Sequence, residues 1–146
     1  RADRPISLSF VDRIRHKRQV HLVRDQYSPL ELVAAIREMD AFIGTRLHSL
    51  LFAAISGTPF IALTYSPKVK ALTNQLGYSS TCSIDLSVLV HHLECEGSLD
   101  SLADNILHMI KEREEIHREL ERKTTALAAR SMENVFRAID LLASKL

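Results

Sequence analysis

The sequence has few cysteines, no membrane-length apolar run and almost no net charge, and each of these absences excludes a class of protein. Two cysteines, Cys82 and Cys95, in 146 residues cannot form a disulfide framework, so we expect free thiols of a cytosolic protein. No apolar run approaches the roughly 20 residues that a membrane-spanning helix needs. The formal net charge of +1 gives no general attraction to nucleic acid or to an anionic membrane.

The chain also has no initial methionine, and its last third has no glycine or proline. It begins at Arg1 without a signal-peptide pattern, so we expect a piece of a longer protein. Over residues 98–146 apolar side chains recur at helical spacing, which predicts two long helices with a break near Lys123–Thr125. The second helix has an apolar face formed by Val135, Ile139 and Leu142. We expect this face to pack on a missing domain or on another copy of the chain.

The most informative stretch is residues 40–48, Asp-Ala-Phe-Ile-Gly-Thr-Arg-Leu-His. Ala41–Ile43 is long enough for a buried strand, and Gly44 favours the tight turn that ends it. Thr45 is a predicted N-cap for a helix whose apolar residues then recur every three or four positions. Arg46 and His48 fall in the first turn of that helix, where free N–H groups and the helix dipole attract anions. The alternative is a solvated arginine and a capping histidine.

Strands and helices alternate along the first two thirds of the chain. Apolar runs predict strands at Val20–Val23, Ala41–Ile43 and Phe60–Thr64, with a last short strand at Ser83–Asp85. Two helix starts carry a serine before a proline, Ser28-Pro29 and Ser66-Pro67. This alternation predicts an α/β fold with a Rossmann-like parallel sheet and helices on both faces. Residues 6–18 are ambiguous between strand and helix, with a weak preference for a helix that ends in a basic run.

Cationic side chains follow two successive strands of this predicted sheet. Lys68 lies in the first turn of the helix after Phe60–Thr64, as Arg46 and His48 do after Ala41–Ile43. Ligands of parallel sheets bind in the crevice beyond the carboxyl ends of the strands, so we expect these three cations near one crevice. An ordinary surface lysine is the alternative for Lys68. His91, His92, Glu94 and Cys95 resemble zinc ligands in type, but adjacent histidines on a helix diverge, and we expect no metal.

Together these residues resemble the carboxyl-terminal half of the polysaccharide pyruvyl transferases. The similarity is carried by Gly44-Thr45-Arg46-Leu47-His48, by Gly57-Thr58-Pro59-Phe60 and by Tyr65-Ser66-Pro67-Lys68, and it spans about residues 20–77. The resemblance implies one Rossmann-like half of a B-type glycosyltransferase fold. It also implies transfer of a pyruvyl group from phosphoenolpyruvate, the donor substrate, to two hydroxyls of a saccharide acceptor as a ketal, with no further cofactor.

Several residue roles and boundaries follow from the resemblance. Arg46 and His48 are the expected catalytic residues, and the expected substrate-binding set is Gly44, Thr45, Arg46, His48, Tyr65 and Lys68. We expect residues 1–97 to form the donor-binding domain and residues 98–146 a helical segment that packs on it, on a missing amino-terminal domain or on a partner. The expected location is cytoplasmic, compatible with peripheral attachment to the inner membrane. The alternatives are a glycosyltransferase that uses a nucleotide sugar, with Asp85 as its acidic residue, and a non-catalytic interaction module.

Overall fold

The computed structural model describes residues 17–23, 25–77, 82–96 and 100–143. The predicted helix within residues 6–18 lies outside these ranges, except that its last two residues join a short 3₁₀ helix, Lys17–Gln19. The predicted apolar face of the last helix lies outside the described side chains, so it stays a prediction. Within the described ranges no helix combines the length and the apolarity needed to cross a bilayer.

Helices and strands alternate along the described residues as the sequence predicts. After the 3₁₀ helix they run in the order α1 (Pro29–Arg37), β1 (Phe42–Gly44), α2 (Leu47–Ser56), β2 (Phe60–Thr64), α3 (Pro67–Gln75), β3 (Ser83–Asp85), α4 (Leu86–Glu96), α5 (Asp100–Lys111) and α6 (Arg113–Ala143).

The three strands form one parallel sheet in the order β1-β2-β3. Phe42 lies opposite Phe60 in the first pair, and Ala62 lies opposite Ser83 in the second. The α/β class with a parallel sheet flanked by helices is therefore confirmed. The prediction of a strand at Val20–Val23 is wrong: these residues pair with no strand of the described sheet, and Val23 is exposed. A short β-branched run becomes a strand only where a neighbour completes its hydrogen bonds.

The core lies between the sheet and helices α2 and α3. Phe60 and Ala62 point to this side of β2 and are fully buried. The crossovers from β1 to β2 and from β2 to β3 run in the same direction across the parallel sheet, and parallel crossovers share one hand, so both helices lie on the same face. Their contribution to the core is aliphatic: Leu50, Ala53, Ala54, Val69, Leu72 and Leu76. Ile61 points to the opposite face and is also fully buried, so that face is covered as well.

Helix ends follow the sequence signals in most places. Ser28 caps α1 in a capping box: its hydroxyl accepts from the Glu31 N–H, and the Glu31 carboxylate accepts from the Ser28 N–H at 2.7 Å. Gly57 ends α2 in the left-handed region, with φ of 72°, where a side chain would be strained. Thr58 then ties this turn to α1, because its buried hydroxyl donates to the Ile36 carbonyl at 2.9 Å.

The predicted break between the two C-terminal helices is misplaced. The helices separate at Glu112, between α5 and α6, whereas Lys123–Thr125 lies inside α6. The Thr124 hydroxyl donates to the Leu120 carbonyl one turn earlier at 2.8 Å, so this threonine bonds within the helix instead of ending it.

The first half of α6 packs against the α/β core. Leu120 is buried in the core, and Ile116 and Leu127 flank it. Two polar side chains of the same helix reach the ends of other helices. His117 Nδ1 donates to the Gly57 carbonyl at the end of α2 at 2.9 Å, and Lys123 Nζ donates to the Leu76 carbonyl at the end of α3 at 2.5 Å. The division of the chain at residue 97 stays a prediction.

Candidate functional site

The candidate site lies at the edge of the sheet where all three strands have their carboxyl ends. β1 leads into α2 through Thr45 and Arg46, β2 leads into α3 through Tyr65 and Ser66, and β3 joins α4 directly. Because the strands are parallel, α2, α3 and α4 all have their amino-terminal ends at this edge. Open α/β sheets bind ligands here.

The start of α2 carries the two residues that the sequence singles out. The structure makes Arg46 the N-cap, in extended backbone, so the prediction of Thr45 as the cap is wrong by one residue. The Ser49 hydroxyl donates to the Arg46 carbonyl at 2.8 Å, and no side chain caps the helix. Arg46 and His48 are both exposed and Thr45 is half-buried. An exposed guanidinium beside an N-terminus without a side-chain cap is suited to an anion.

Gly44 is a glycine for lack of space rather than for turn geometry. It is the last residue of β1 and is buried, and its φ is not positive. A Cβ at this position would come within 2.7 Å of Phe42 Cε1 and 2.9 Å of Leu50 Cδ2. The absence of a side chain lets α2 begin close against the end of the strand, so the backbone rather than a side chain forms this part of the edge.

Acidic residues are distributed unevenly among the helix starts. The first turn of α1 contains Glu31, that of α5 contains Asp100, and that of α6 contains Glu114 and Glu115. The first turns of α2 and α3 contain none, and neither N-cap side chain makes a capping bond. Lys68, exposed, lies in the first turn of α3. The positive ends of α2 and α3 are therefore not neutralised by their own first turns.

A pocket of about 770 Å³ opens between the carboxyl ends of β2 and β3. Its lining comes from the β2–α3 junction, the β3–α4 junction and one face of α4: Thr64, Tyr65, Ser66, Pro67, Lys70, Asp85, Leu86, Ser87, Val90, His91 and Glu94. Of the substrate-binding residues predicted from the sequence, only Tyr65 lines it. Arg46, His48 and Lys68 lie at the same edge of the sheet but outside this pocket, and their roles stay predictions.

The pocket contains the Asp85 carboxylate, which hydrogen bonds from Ser87 hold in place. Its Oδ1 accepts hydrogen bonds from the Ser87 hydroxyl at 2.6 Å and from the Ser87 N–H at 2.9 Å, at the start of α4. These two bonds, with a smaller contribution from the charge of Lys70, lower the pKa of Asp85 below its ordinary value of 3.8. At neutral pH the pocket therefore contains an ionised carboxylate.

The pocket-lining face of α4 was not identified from the sequence as a site. Ser87, Val90, His91 and Glu94 recur at spacings of three and four, so they share one face, and that spacing was the available signal. Cys95 Sγ lies 3.7 Å from His91 Nδ1 on the same helix. Among the described residues no three histidine, cysteine, aspartate or glutamate side chains converge on a common point.

The fold and this edge define an α/β protein with a parallel sheet, and sequence comparison narrows the class of protein further. Residues 3–67 match the family model described as polysaccharide pyruvyl transferase. The match covers the whole of β1, α2 and β2, including Gly44–His48, and ends at the first residue of α3. The resemblance to this family of transferases is therefore confirmed over that stretch.

One particular relative is the amylovoran biosynthesis protein AmsJ of Erwinia amylovora. It is 30% identical to the chain over 115 residues, which is 79% of this chain and 26% of AmsJ. The chain thus spans about a quarter of the length of that relative. No solved structure matches the chain.

Proposed function

We propose that the chain is the carboxyl-terminal, donor-binding part of a polysaccharide pyruvyl transferase that acts in the biosynthesis of a cell-surface polysaccharide. In this proposal residues 1–97 form the donor-binding α/β domain and residues 98–146 form a helical segment beside it. The family match over residues 3–67 and the similarity to an amylovoran biosynthesis protein support it. The proposed donor is phosphoenolpyruvate, and the proposed acceptor is a pair of hydroxyls on a saccharide.

The observation that carries the proposal is the start of α2. Arg46 and His48 lie there without an acidic residue in the first turn and without a side-chain cap, at the carboxyl edge of the sheet. Phosphoenolpyruvate carries a phosphate and a carboxylate. Both groups suit backbone N–H donors and a guanidinium fork.

The proposed chemistry needs an anion site and a proton carrier. A proton adds to the methylene carbon of phosphoenolpyruvate, and the two saccharide hydroxyls add in turn to the central carbon. The bond between the central carbon and the bridging oxygen breaks, and inorganic phosphate leaves with that oxygen and the electron pair. The hydroxyl protons must also be removed. We assign the binding of the donor anion to Arg46 and a proton-transfer role to His48, because an imidazole ring can both donate and accept a proton. Lys68 and Tyr65 are proposed substrate-binding neighbours on the next strand.

A nucleotide-sugar glycosyltransferase is the second candidate, favoured by the position of Asp85. This carboxylate belongs to the last residue of β3 and lines the pocket, and an acidic residue near a strand end binds ribose hydroxyls in dinucleotide-binding folds. The charge of the pocket opposes this candidate. Its lining has two carboxylates, Asp85 and Glu94, against one lysine, Lys70, which disfavours a diphosphate.

Titration calorimetry of the chain with phosphoenolpyruvate and, separately, with UDP-glucose distinguishes the candidates. We expect binding of phosphoenolpyruvate and no measurable binding of UDP-glucose. In the complete protein, ¹³C-labelled phosphoenolpyruvate should give a labelled ketal carbon on the saccharide, with one phosphate released per ketal. Binding of UDP-glucose that Asp85→Asn abolishes would instead support the glycosyltransferase, and binding of neither compound would support a non-catalytic module.

A further inference from the structure

The pocket between β2 and β3 differs from the start of α2 in its chemistry, although both lie at the carboxyl edge of the sheet. The start of α2 has an arginine and a histidine and no first-turn acid. The pocket has two carboxylates, Asp85 and Glu94, one lysine and one histidine. The two carboxylates outnumber the single lysine. A ligand with two or three negative charges is therefore favoured at α2 and disfavoured in the pocket.

Polar groups in the pocket suit a neutral ligand that is rich in hydroxyls. The Asp85 carboxylate accepts two hydrogen bonds from Ser87 through Oδ1 and a further backbone hydrogen bond from Val88. An ionised carboxylate has about four lone-pair sites, so it can accept another hydrogen bond from a ligand. The Ser66 and Glu94 side chains line the same pocket. A carboxylate held in place by a helix start pairs well with the hydroxyls of a sugar, because a charge-assisted hydrogen bond is stronger than one between neutral groups.

Apolar side chains also line the pocket, beside these hydrogen-bond acceptors. Tyr65 is 57% exposed although it follows a buried strand, and Leu86 and Val90 of α4 line the same pocket. An exposed aromatic ring at the mouth of a pocket provides an apolar face for the C–H side of a pyranose and a phenolic hydroxyl at its edge. The volume of about 770 Å³ lies within the range of small-molecule sites and accommodates one or two sugar rings.

We propose that this pocket binds the acceptor saccharide, with Tyr65 as the stacking surface and Asp85 as the acceptor of sugar hydroxyl hydrogen bonds. The inference rests on the proposed function, because only a transferase needs a second substrate at this edge. The geometry of the sheet agrees with it. β1 and β3 flank β2, and neighbouring strands lie about 5 Å apart, so the pocket opens one strand away from the start of α2.

The test is NMR of the full chain with three neutral probes, methyl β-galactoside, methyl β-glucoside and methyl β-mannoside. We expect at least one of them to shift the amide signals of residues 64–66 and 85–87, with signals of residues 45–49 unchanged. Tyr65→Ala and Asp85→Asn should each weaken this binding at least fivefold, whereas Tyr65→Phe should retain most of it. Asp85→Asn keeps an oxygen for the bonds from Ser87, so α4 should remain capped. Glu115→Gln, on the exposed side of α6, is the control.

A phosphoenolpyruvate titration of the same variants separates this inference from the proposed function. Asp85→Asn should not weaken phosphoenolpyruvate binding, because it removes a negative charge near the edge. Donor binding that depends on Arg46, combined with glycoside shifts outside the pocket or with no glycoside shifts at all, would overturn the acceptor pocket and leave the function standing. Shifts of the pocket signals with UDP-glucose but with none of the glycosides would overturn both.

Discussion

Gly44 illustrates how a residue can be identified correctly as important for the wrong physical reason. The sequence favours a tight turn with unusual backbone angles at this position. In the described part of the chain only Gly57 and Gly77 have a positive φ, and Gly44 lies in the last position of β1. Its neighbours leave no room for a Cβ. A glycine is therefore required here by packing, at the point where the end of β1 lies against side chains of β1 and α2.

Gly44→Ala should destabilise the protein and weaken the donor site together. The added Cβ lies 2.7 Å from Phe42 Cε1 and 2.9 Å from Leu50 Cδ2, so the Phe42 ring and the Leu50 side chain must shift to admit it. Overpacking of this kind costs roughly 1–3 kcal/mol in the free energy of unfolding. Urea denaturation measures it, with Thr45→Ala as the control, because the adjacent residue already has a Cβ. Equal stability of Gly44→Ala and wild type would contradict this account of the glycine.

Substitution of His48 should show whether this residue transfers a proton or only binds the donor. His48→Ala in the complete protein should lower kcat for ketal formation more than it lowers the affinity for phosphoenolpyruvate if the imidazole moves a proton. Steady-state kinetics together with donor calorimetry measures the two quantities. A loss that falls mainly on affinity would remove His48 from proton transfer and leave it as a ligand of the donor.

Glu31 makes the stability of α1 sensitive to acid. Backbone and side-chain hydrogen bonds from Ser28 lower the pKa of Glu31 below its ordinary value of 4.5. A carboxylate with a lowered folded-state pKa stabilises the fold fully above pH 4.5, and this stabilisation is lost as the pH falls through the folded-state pKa. The stability difference between wild type and Glu31→Gln, from urea denaturation, should therefore be larger at pH 7 than at pH 3. A difference independent of pH would refute the assignment.

At the scale of helices and strands, the sequence predicts correctly those features that depend only on neighbouring residues. The capping box at Ser28, the Gly57 C-cap and the strand Phe60–Thr64 each depend on neighbouring residues and are present as expected. Val20–Val23 lacks a pairing neighbour in the described sheet, which no local pattern reveals. The helix break lies at Glu112 and not at the predicted Lys123–Thr125. Lys123 lies inside α6 and bonds to the end of a distant helix, a contact that the local sequence does not reveal.

Helix α6 holds the ends of α2 and α3 through polar side chains as well as through apolar contacts. Lys123 Nζ lies 2.5 Å from the Leu76 carbonyl, where the helix dipole favours a cation, and 2.5 Å from a Glu119 carboxylate oxygen. Its side chain is only 20% exposed. Lys123→Met keeps the aliphatic stem and removes the donor, so the free energy of unfolding should fall by about 1–3 kcal/mol.

Lys111→Met is the matched control, because Lys111 is exposed at the end of α5. We expect it to stay within about 0.5 kcal/mol of wild type. Both variants are compared by urea denaturation at pH 7. Equal effects of the two substitutions would mean that the contact with Leu76 does not anchor α6.

At the scale of the whole molecule, the candidate site has a part that the sequence predicts and a part that only the fold brings together. Arg46 and His48 lie two positions apart in sequence, and their place at a helix start follows from a local pattern. The pocket combines Tyr65, Asp85 and the inner face of α4, and these segments meet only because β2 and β3 are neighbours in the sheet. The sequence predicts that Asp85 lies at a strand end but cannot show that it lines the same pocket as Tyr65.

The central claim is that the start of α2 binds the donor anion, and calorimetry with phosphoenolpyruvate on three variants tests it most directly. Arg46→Ala removes a charged hydrogen-bond donor worth roughly 1.5–3 kcal/mol, so affinity should fall about tenfold to a hundredfold. Arg46→Lys keeps the charge but loses the fork, and it should lie between Arg46→Ala and wild type. Arg118→Ala, an exposed arginine that bonds within α6, should bind like wild type. Wild-type affinity in Arg46→Ala would contradict the account.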